Sequence, residues 1–323
     1  MDGRSDSLVQ LQSRAVIAGD AARVHFPGSV LARFLELRGR RVMRACGALW
    51  YEVPGRFLMS LPYQSLLNPH PGELQWMIRE YGAVGARFPT AAWSGLESGL
   101  YVIRRRSYEI DSLHVKQRPR VRHGLERFHV RPATKAQLLS QGRALNLSTM
   151  RRQGRYEAEF GNRKRWEVFV EAAFTCREIS CPAAFAGSRM AAYMITCREQ
   201  GWLHILHQMS NHEDLSNFPN HVLTYSVTKQ ALEDDSIDAV CYGYVPLIAA
   251  DGLNEYKMRF GYELEPHRSA ILLHPRINTL LNSGLVRAAV NLARKLEPRN
   301  QRFEMIQNVL EGARSSRPAR EPC

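Results

Sequence analysis

The sequence predicts an α/β chain built around a mixed α+β sheet, and three stretches carry that expectation. Trp202 to Met209 and Ile237 to Gly243 are compact apolar runs suited to buried strands. Between them, Phe218 to Leu232 places Pro219 in a first helical turn and Leu223, Val227 and Ala231 at helical spacing. After them, Gly252 to Gly261 reads as a short helix stopped by glycine, followed by a strand with Tyr262 and Leu264 on one face. The order is strand, helix, strand, helix, strand.

From the start of the chain, residues 1–23 are mixed polar and read as a loosely held arm with at most one helical turn around Leu8 to Arg14. A helix is expected over Val30 to Leu37. Two strand-like runs follow, Arg41 to Val53 and Arg56 to Leu61, joined at Pro54-Gly55. A turn at Asn68 to Gly72 leads to a helix over Glu73 to Tyr81 with Leu74, Met77 and Ile78 inward. Ala83 to Phe88 and Leu100 to Arg104 are further strands. Pro119 makes the segment from Ser112 to Arg127 either a kinked helix or a turn followed by a helix. Phe128 to Leu139 reads as a strand passing into a helix. Asn162 to Cys176 is a helix with Trp166, Phe169, Val170 and Ala173 on one side. Gly187-Ser188 joins the strands Ala183 to Ala186 and Arg189 to Arg198, and Gln200-Gly201 turns the chain into the strand at Trp202. Beyond Pro275 the period becomes helical, with Ile277, Leu281, Leu285, Ala288 and Leu292 on one face and a second helix over Arg302 to Leu310; Ser315 to Cys323 is expected to be disordered.

At 323 residues and 45% hydrophobic, the chain can build one large core or two smaller ones. No run reaches the ~18 apolar residues of a membrane span, and the opening Met1 to Asp6 has no signal-peptide pattern, so a cytoplasmic protein without integral membrane association is the expectation. The six cysteines are scattered without metal-ligand spacing, and Cys197 and Cys241 fall in strands as buried thiols, so no metal site is expected.

The net charge of +13 is unevenly placed. Between Arg104 and Arg165 stand seventeen Lys and Arg against five acids, which is nearly the whole excess in about one-fifth of the chain. A dense basic row suits contact with a phosphate backbone, and Arg104, Arg105, Arg106, Lys116, Arg118, Arg120, Arg122, Arg151, Arg152, Arg163, Lys164 and Arg165 are the candidate nucleic-acid contacts. Tyr101, Tyr108, Phe128, Tyr156 and Trp166 are interleaved and could stack on bases. The plainer alternative is a solvated basic face.

Lys257-Met-Arg-Phe-Gly261-Tyr262, with the order of elements around it, resembles the close of the GNAT acyltransferase fold, where a Tyr-x-x-x-Gly-Phe pattern stands. Lysine in the tyrosine position looks like the Fem-type branch, whose members transfer aminoacyl groups from tRNA onto peptidoglycan precursors. The resemblance implies a degenerate GNAT-like half over 24–126, a complete GNAT-like domain over 127–275 and a helical extension over 276–323. It also implies that the strands at Trp202 and Ile237 are splayed around the donor carbonyl.

On that mapping Lys257 meets the charge developing on the tetrahedral intermediate; the alternative is a surface pair with Glu255 or Glu263. Tyr256 either protonates the leaving group or packs in the core. For a base the candidates are His207, Asp251 and Glu255, although transfer from an already neutral amine needs none. Tyr242 and Asn254 are substrate-side candidates, Asn254 alternatively capping its own helix. Ser210, Phe218, Asn220, His221 and Val222 would bind the donor. Acyl-CoA-using GNAT proteins carry a glycine-rich loop where that helix begins; here Leu215 to His221 has no glycine, and Pro219 removes an N–H, leaving the amides of Asn220 to Val222 to hold a phosphate. Together with the basic block this tips the sequence towards an aminoacyl-tRNA donor, with acyl-CoA close behind, no tightly bound cofactor, and a non-catalytic RNA-binding module as a further alternative. The acceptor amine, whether metabolite, cell-envelope precursor or peptide, and the oligomeric state are open.

Overall fold

The computed structural model describes residues 29–247, 252–283 and 301–318. The arm at 1–23, Asp251 and the helical face at Leu285, Ala288 and Leu292 lie outside the described residues.

Helix α1 (Val30–Leu37) starts where Ser29 Oγ accepts from the Ala32 amide at 3.2 Å, and it buries Leu31, Phe34 and Leu35. Strands β1 (Val42–Ala45), β2 (Ala48–Val53) and β3 (Phe57–Leu61) follow. The run from Arg41 to Val53 is therefore two strands where the sequence suggested one. Cys46 and Gly47 take φ of 49° and 70°, a left-handed pair that turns a tight hairpin without splaying its strands. Helix α2 (Pro71–Glu80) buries Leu74, Met77 and Ile78, and β4 (Gly85–Thr90) and β5 (Leu96–Arg104) complete the first half.

A 3₁₀ turn at Ile110–Ser112 leads to α3 (Arg118–Leu125), with Pro119 in the first turn, where its missing N–H costs nothing. After β6 (His129–Pro132) come α4 (Lys135–Gln137), a π-helical turn at Leu138–Gly142, α5 (Arg143–Arg152), α6 (Ala158–Gly161) and α7 (Arg163–Thr175). Strands β7 (Ile179–Ser180), β8 (Pro182–Ala186), β9 (Arg189–Glu199) and β10 (Trp202–Ser210) precede α8 (Pro219–Leu232) and β11 (Ala239–Tyr244). Helix α9 (Leu253–Arg259), β12 (Glu263–Leu273), α10 (Pro275–Asn282) and α11 (Gln301–Ser315) close the chain.

The twelve strands of the described residues join one sheet, in the order β1-β2-β3-β4-β12-β5-β11-β10-β9-β8-β6, with β7 beside β9. Only β3/β4 and β10/β11 are parallel neighbours, and each pair is joined through a helix, α2 or α8. The two halves thus repeat one plan: antiparallel strands, a strand–helix–strand crossover, and a closing strand. The closing strands are exchanged. β12 lies between β4 and β5, and β5 lies between β12 and β11, so the sheet runs unbroken through both sets of strands. The fold is GNAT-like, in a tandem arrangement that left no repeat in the sequence.

Two apolar layers flank the second half. On one face α1 and α7 bury Phe34, Trp166 and Phe169, and on the other α8 and α9 bury Leu223, Val227 and Phe260. The expected disorder from Ser315 is corrected for 315–318. Ser316 is buried and its Oγ accepts from the Ile271 amide at 2.8 Å, while Pro318 bridges Trp93. A buried strand amide must find an acceptor, and this hydroxyl supplies it.

Candidate active site

Strands β10 and β11 pair over three residues only, from Trp202↔Ala239 to His204↔Cys241, and then part. β10 continues to Ser210 against β9 with a register shift between Ile205 and His207. β11 continues to Tyr244 against β5 with a shift between Cys241 and Tyr244, where Gly243 takes φ 76°. An extra residue bends its strand, and here two neighbouring strands are bent at the same level, which opens a wedge between them. On the α1 face the wedge holds a cavity of about 210 Å³, with His204, His207, Gly243 and Tyr244 among its walls and Phe34 and Arg38 above.

Lys257 approaches the wedge from the opposite, α8/α9 face. Its side chain is 4% exposed, and Nζ donates to the Tyr244 carbonyl at 3.4 Å. The ammonium sits 4.6 Å from the centre of the Tyr101 ring and 5.5 Å from that of Tyr242. Lys257 is not itself a wall of the cavity; it meets β11 where that strand forms one of the walls. Neither surface partner considered from the sequence is used: Glu255 pairs with Arg259 and Glu263 with Arg106. Without an acid to hold its charge, burial pushes the ammonium down to about 8.

Tyr256 faces α8. Its hydroxyl donates to the Asn220 carbonyl at 3.1 Å and lies 2.9 Å from Thr224 Oγ1. Burial holds that phenol well above its ordinary value, so it remains a hydrogen-bond donor. The Tyr242 hydroxyl donates to Gln208 Oε1, and Gln208 Nε2 reaches the Asn220 carbonyl at 3.2 Å and Thr224 at 3.3 Å. Tyr242, Gln208, Asn220, Thr224 and Tyr256 therefore form one network that ties β10, β11, α8 and α9 beneath the ammonium. Asn254 does not cap its helix: Gly252 occupies that position, and the buried Asn254 Oδ1 has no partner among the described residues.

His207 lies on the other face from Lys257 and Tyr256, its ring 4.7 Å from that of Phe160. Burial first, then the positive charge of Arg38, push its imidazole down to about 3, so it is neutral at physiological pH but a feeble base. Sequence reasoning missed the groups beside it. Arg38 donates to Glu159 through Nε at 2.9 Å and Nη2 at 2.5 Å, with its guanidinium 4.5 Å from the Phe169 ring centre. His204, 1% exposed, has both ring nitrogens unpartnered. No motif marks either residue, since they come from opposite halves of the chain.

The donor candidates cluster at the start of α8. Phe218 holds the cap in the left-handed region at φ 61°. Ser210 Oγ accepts from Asn220 Nδ2 at 3.0 Å and from Arg152 Nη2 at 3.3 Å. The free amides expected at Asn220 to Val222 are reduced: those of His221 and Val222 both turn back onto the Phe218 carbonyl, at 3.0 and 3.2 Å. Helix α3 also covers this end, with Gly124 so close that a Cβ there would stand 2.2 Å from Val222 Cγ2 and 3.2 Å from the Phe218 carbonyl oxygen. The imidazole of His221 is buried beside Phe218 and Tyr256 and pushed down to about 4, by burial and then by Arg120.

The basic block divides. Arg104, Arg105 and Arg106 pair with Glu265, Asp235 and Glu263, and Arg163 pairs with Glu167. Arg118 and Arg122 share Asp111, while the Arg120 guanidinium stands 5.7 Å from the Phe218 ring centre at the start of α8. For Lys116, Arg120, Arg151, Arg152, Lys164 and Arg165 no ion pair is present among the described residues. The stacking role suggested for the aromatics is corrected: Tyr101, Tyr108, Phe128 and Trp166 are core residues, and only Tyr156, 66% exposed, could meet a base.

No family model matches the chain, and no curated protein matches it in sequence. Its fold does match solved structures. The C-terminal domain of an Agrobacterium fabrum protein assigned as a lysylphosphatidylglycerol synthetase superposes with a TM-score of 0.53 at 12% identity, covering 86% of this chain and 98% of that one. FemX superposes with a TM-score of 0.53 at 13% identity, covering 85% of this chain and 98% of its own. At 12–13% identity the likeness to FemX and to that synthetase domain is one of fold.

Proposed function

We propose that the chain is an amide-forming transferase that moves an aminoacyl group from tRNA to an amine, with Lys257 answering the negative charge that develops on the donor carbonyl. The observation that carries this is the buried ammonium at the parting of β10 and β11, held by a carbonyl and two aromatic faces instead of an acid. A fixed cation in a dry site stabilises an oxyanion far more than it would in water. Its charge is not spent on a neighbouring carboxylate. The intermediate collapses with cleavage of the bond to the ester oxygen. The proton that the amine nitrogen, neutral when it attacks, gives up ends on that oxygen, which leaves as the tRNA hydroxyl.

Two features favour tRNA over a CoA thioester. The start of α8, where a pyrophosphate would sit, is closed by α3 and by the Phe218 carbonyl. Arg120 and Arg152 flank the same end without acidic partners among the described residues, and suit the backbone of a nucleic acid. The Fem-type lysine pattern points the same way.

The test is to offer charged tRNA and, separately, acyl-CoA together with a panel of amines. Transfer from tRNA that disappears in Lys257→Met supports the proposal. Transfer from CoA alone replaces the donor, and RNA binding without transfer, indifferent to Lys257, replaces the enzyme with a binding module.

A further inference from the structure

On the face of the sheet opposite Lys257, the wedge cavity is bounded by Leu31, Phe34, Leu35, Tyr51, Met59 and Tyr63 in addition to the two strands. A dry cavity of about 150 Å³ lined by apolar side chains holds a benzene ring. At about 210 Å³ this one has room for a group the size of one amino-acid side chain, and not for a nucleotide or a long acyl chain.

The polar equipment is two imidazoles at the parting point. His204 and His207 line the cavity, and both ring nitrogens of the buried His204 are without a hydrogen-bond partner among the described residues. A buried imidazole is ordinarily paired, so the His204 nitrogens point to a ligand atom. No carboxylate lines the space among the described residues. Glu159, the acid that pairs with Arg38 of the cavity wall, is held by both Arg38 and Arg40. Behind Tyr244 stands a second guanidinium, Arg87, which donates to Ser269 Oγ at 2.7 Å and faces no acid among the described residues. An ammonium entering here would meet guanidiniums and no counter-charge among the described walls, and burying a charge without one is strongly unfavourable.

Resting on the transferase reading above, we propose that this cavity receives the part of the substrate beyond the reacting centre, and that this part is an uncharged aromatic or aliphatic group of side-chain size bringing one hydrogen-bonding atom to His204 and His207. Substrates carrying a second ammonium at that position are rejected.

The experiment titrates the wild-type full chain with p-cresol and with n-butylammonium, following the imidazole Cε1–H resonances of the histidines by NMR. His204→Gln and His207→Gln serve to assign the signals. Saturable shifts of the His204 and His207 signals with p-cresol, and binding at least about 100-fold weaker for n-butylammonium, are expected. Equal binding of the two probes, or binding of p-cresol that leaves both imidazoles unmoved, overturns the proposal. The same titration on Lys257→Met separates the two claims: pocket binding survives that substitution whether or not the chain transfers an acyl group.

Discussion

Lys257 Nζ lies 4.6 Å from the centre of the Tyr101 ring, so a buried ammonium is held by an aromatic face where an acid would be expected. Such a contact offsets part of the desolvation while leaving the positive charge free to act on something else.

Replacing that charge separates function from stability. Lys257→Met keeps the stem's packing and removes the desolvated cation, whose lowered proton affinity corresponds to as much as about 3 kcal/mol of strain at neutral pH. Transfer should fall by roughly 100-fold or more while chemical denaturation shows a protein no less stable than wild type. A variant that unfolds more easily and transfers normally would contradict both halves.

The pH dependence follows from the same group. Its folded value, about 8, lies below the ordinary 10.5, so between these two the unfolded chain binds more protons than the folded one. Stability from this residue therefore rises with pH across that window, and transfer falls as the ammonium is lost. Denaturation midpoints and rates at pH 7.5 and 9.5 should move in opposite directions, and in Lys257→Met neither trend should remain.

The pair of Arg38 with Glu159 joins α1 to α6, with side chains 8% and 15% exposed. Burial raises the Glu159 carboxyl, but hydrogen bonds and charge from Arg38 and Arg40 outweigh it and hold the group below its usual range. The stability it contributes is complete above the ordinary carboxylate value and is lost as pH falls through the folded one. Glu159→Gln leaves a buried guanidinium without its counter-charge and should cost about 3–5 kcal/mol, measured by urea denaturation. Replacing Arg38 and Glu159 together with methionine should recover most of that loss.

Gly124→Ala tests how tightly α3 closes the start of α8. On an open helix face the change would gain about 1 kcal/mol. Here the added methyl meets Val222 at 2.2 Å, so a loss of about 1–3 kcal/mol is expected, together with a shift of the Phe218 ring resonances.

The arginines divide into two predictions for tRNA. Reversing Arg118, Arg120 and Arg122 to glutamate should weaken filter binding and lower the logarithmic salt slope by about 2–3. Reversing Arg104, Arg105 and Arg106, which face Glu265, Asp235 and Glu263, should change tRNA binding much less and stability more.

Local order was legible wherever one residue dictates its neighbours. The stripe Trp166, Phe169, Val170 and Ala173 marked α7, Pro219 marked the start of α8, and Gly261 marked the end of α9. The hairpin at Cys46 was not, because a cysteine at φ 49° carries no turn signal. Tyr101 and Trp166 looked like base-stacking groups for the opposite reason: an aromatic beside arginines in sequence can point away from them in space.

Sequence alone determined the succession of helices and strands and singled out Lys257, because periodicity and glycine stops act over a few residues. Only the tertiary structure decided that β12 and β5 change places between the halves, that β10 and β11 part after His204, and that His207 faces away from Lys257. Those outcomes depend on which distant strands satisfy each other's backbone hydrogen bonds and on two bulges at one level of a sheet, and neither is written in any short stretch of residues.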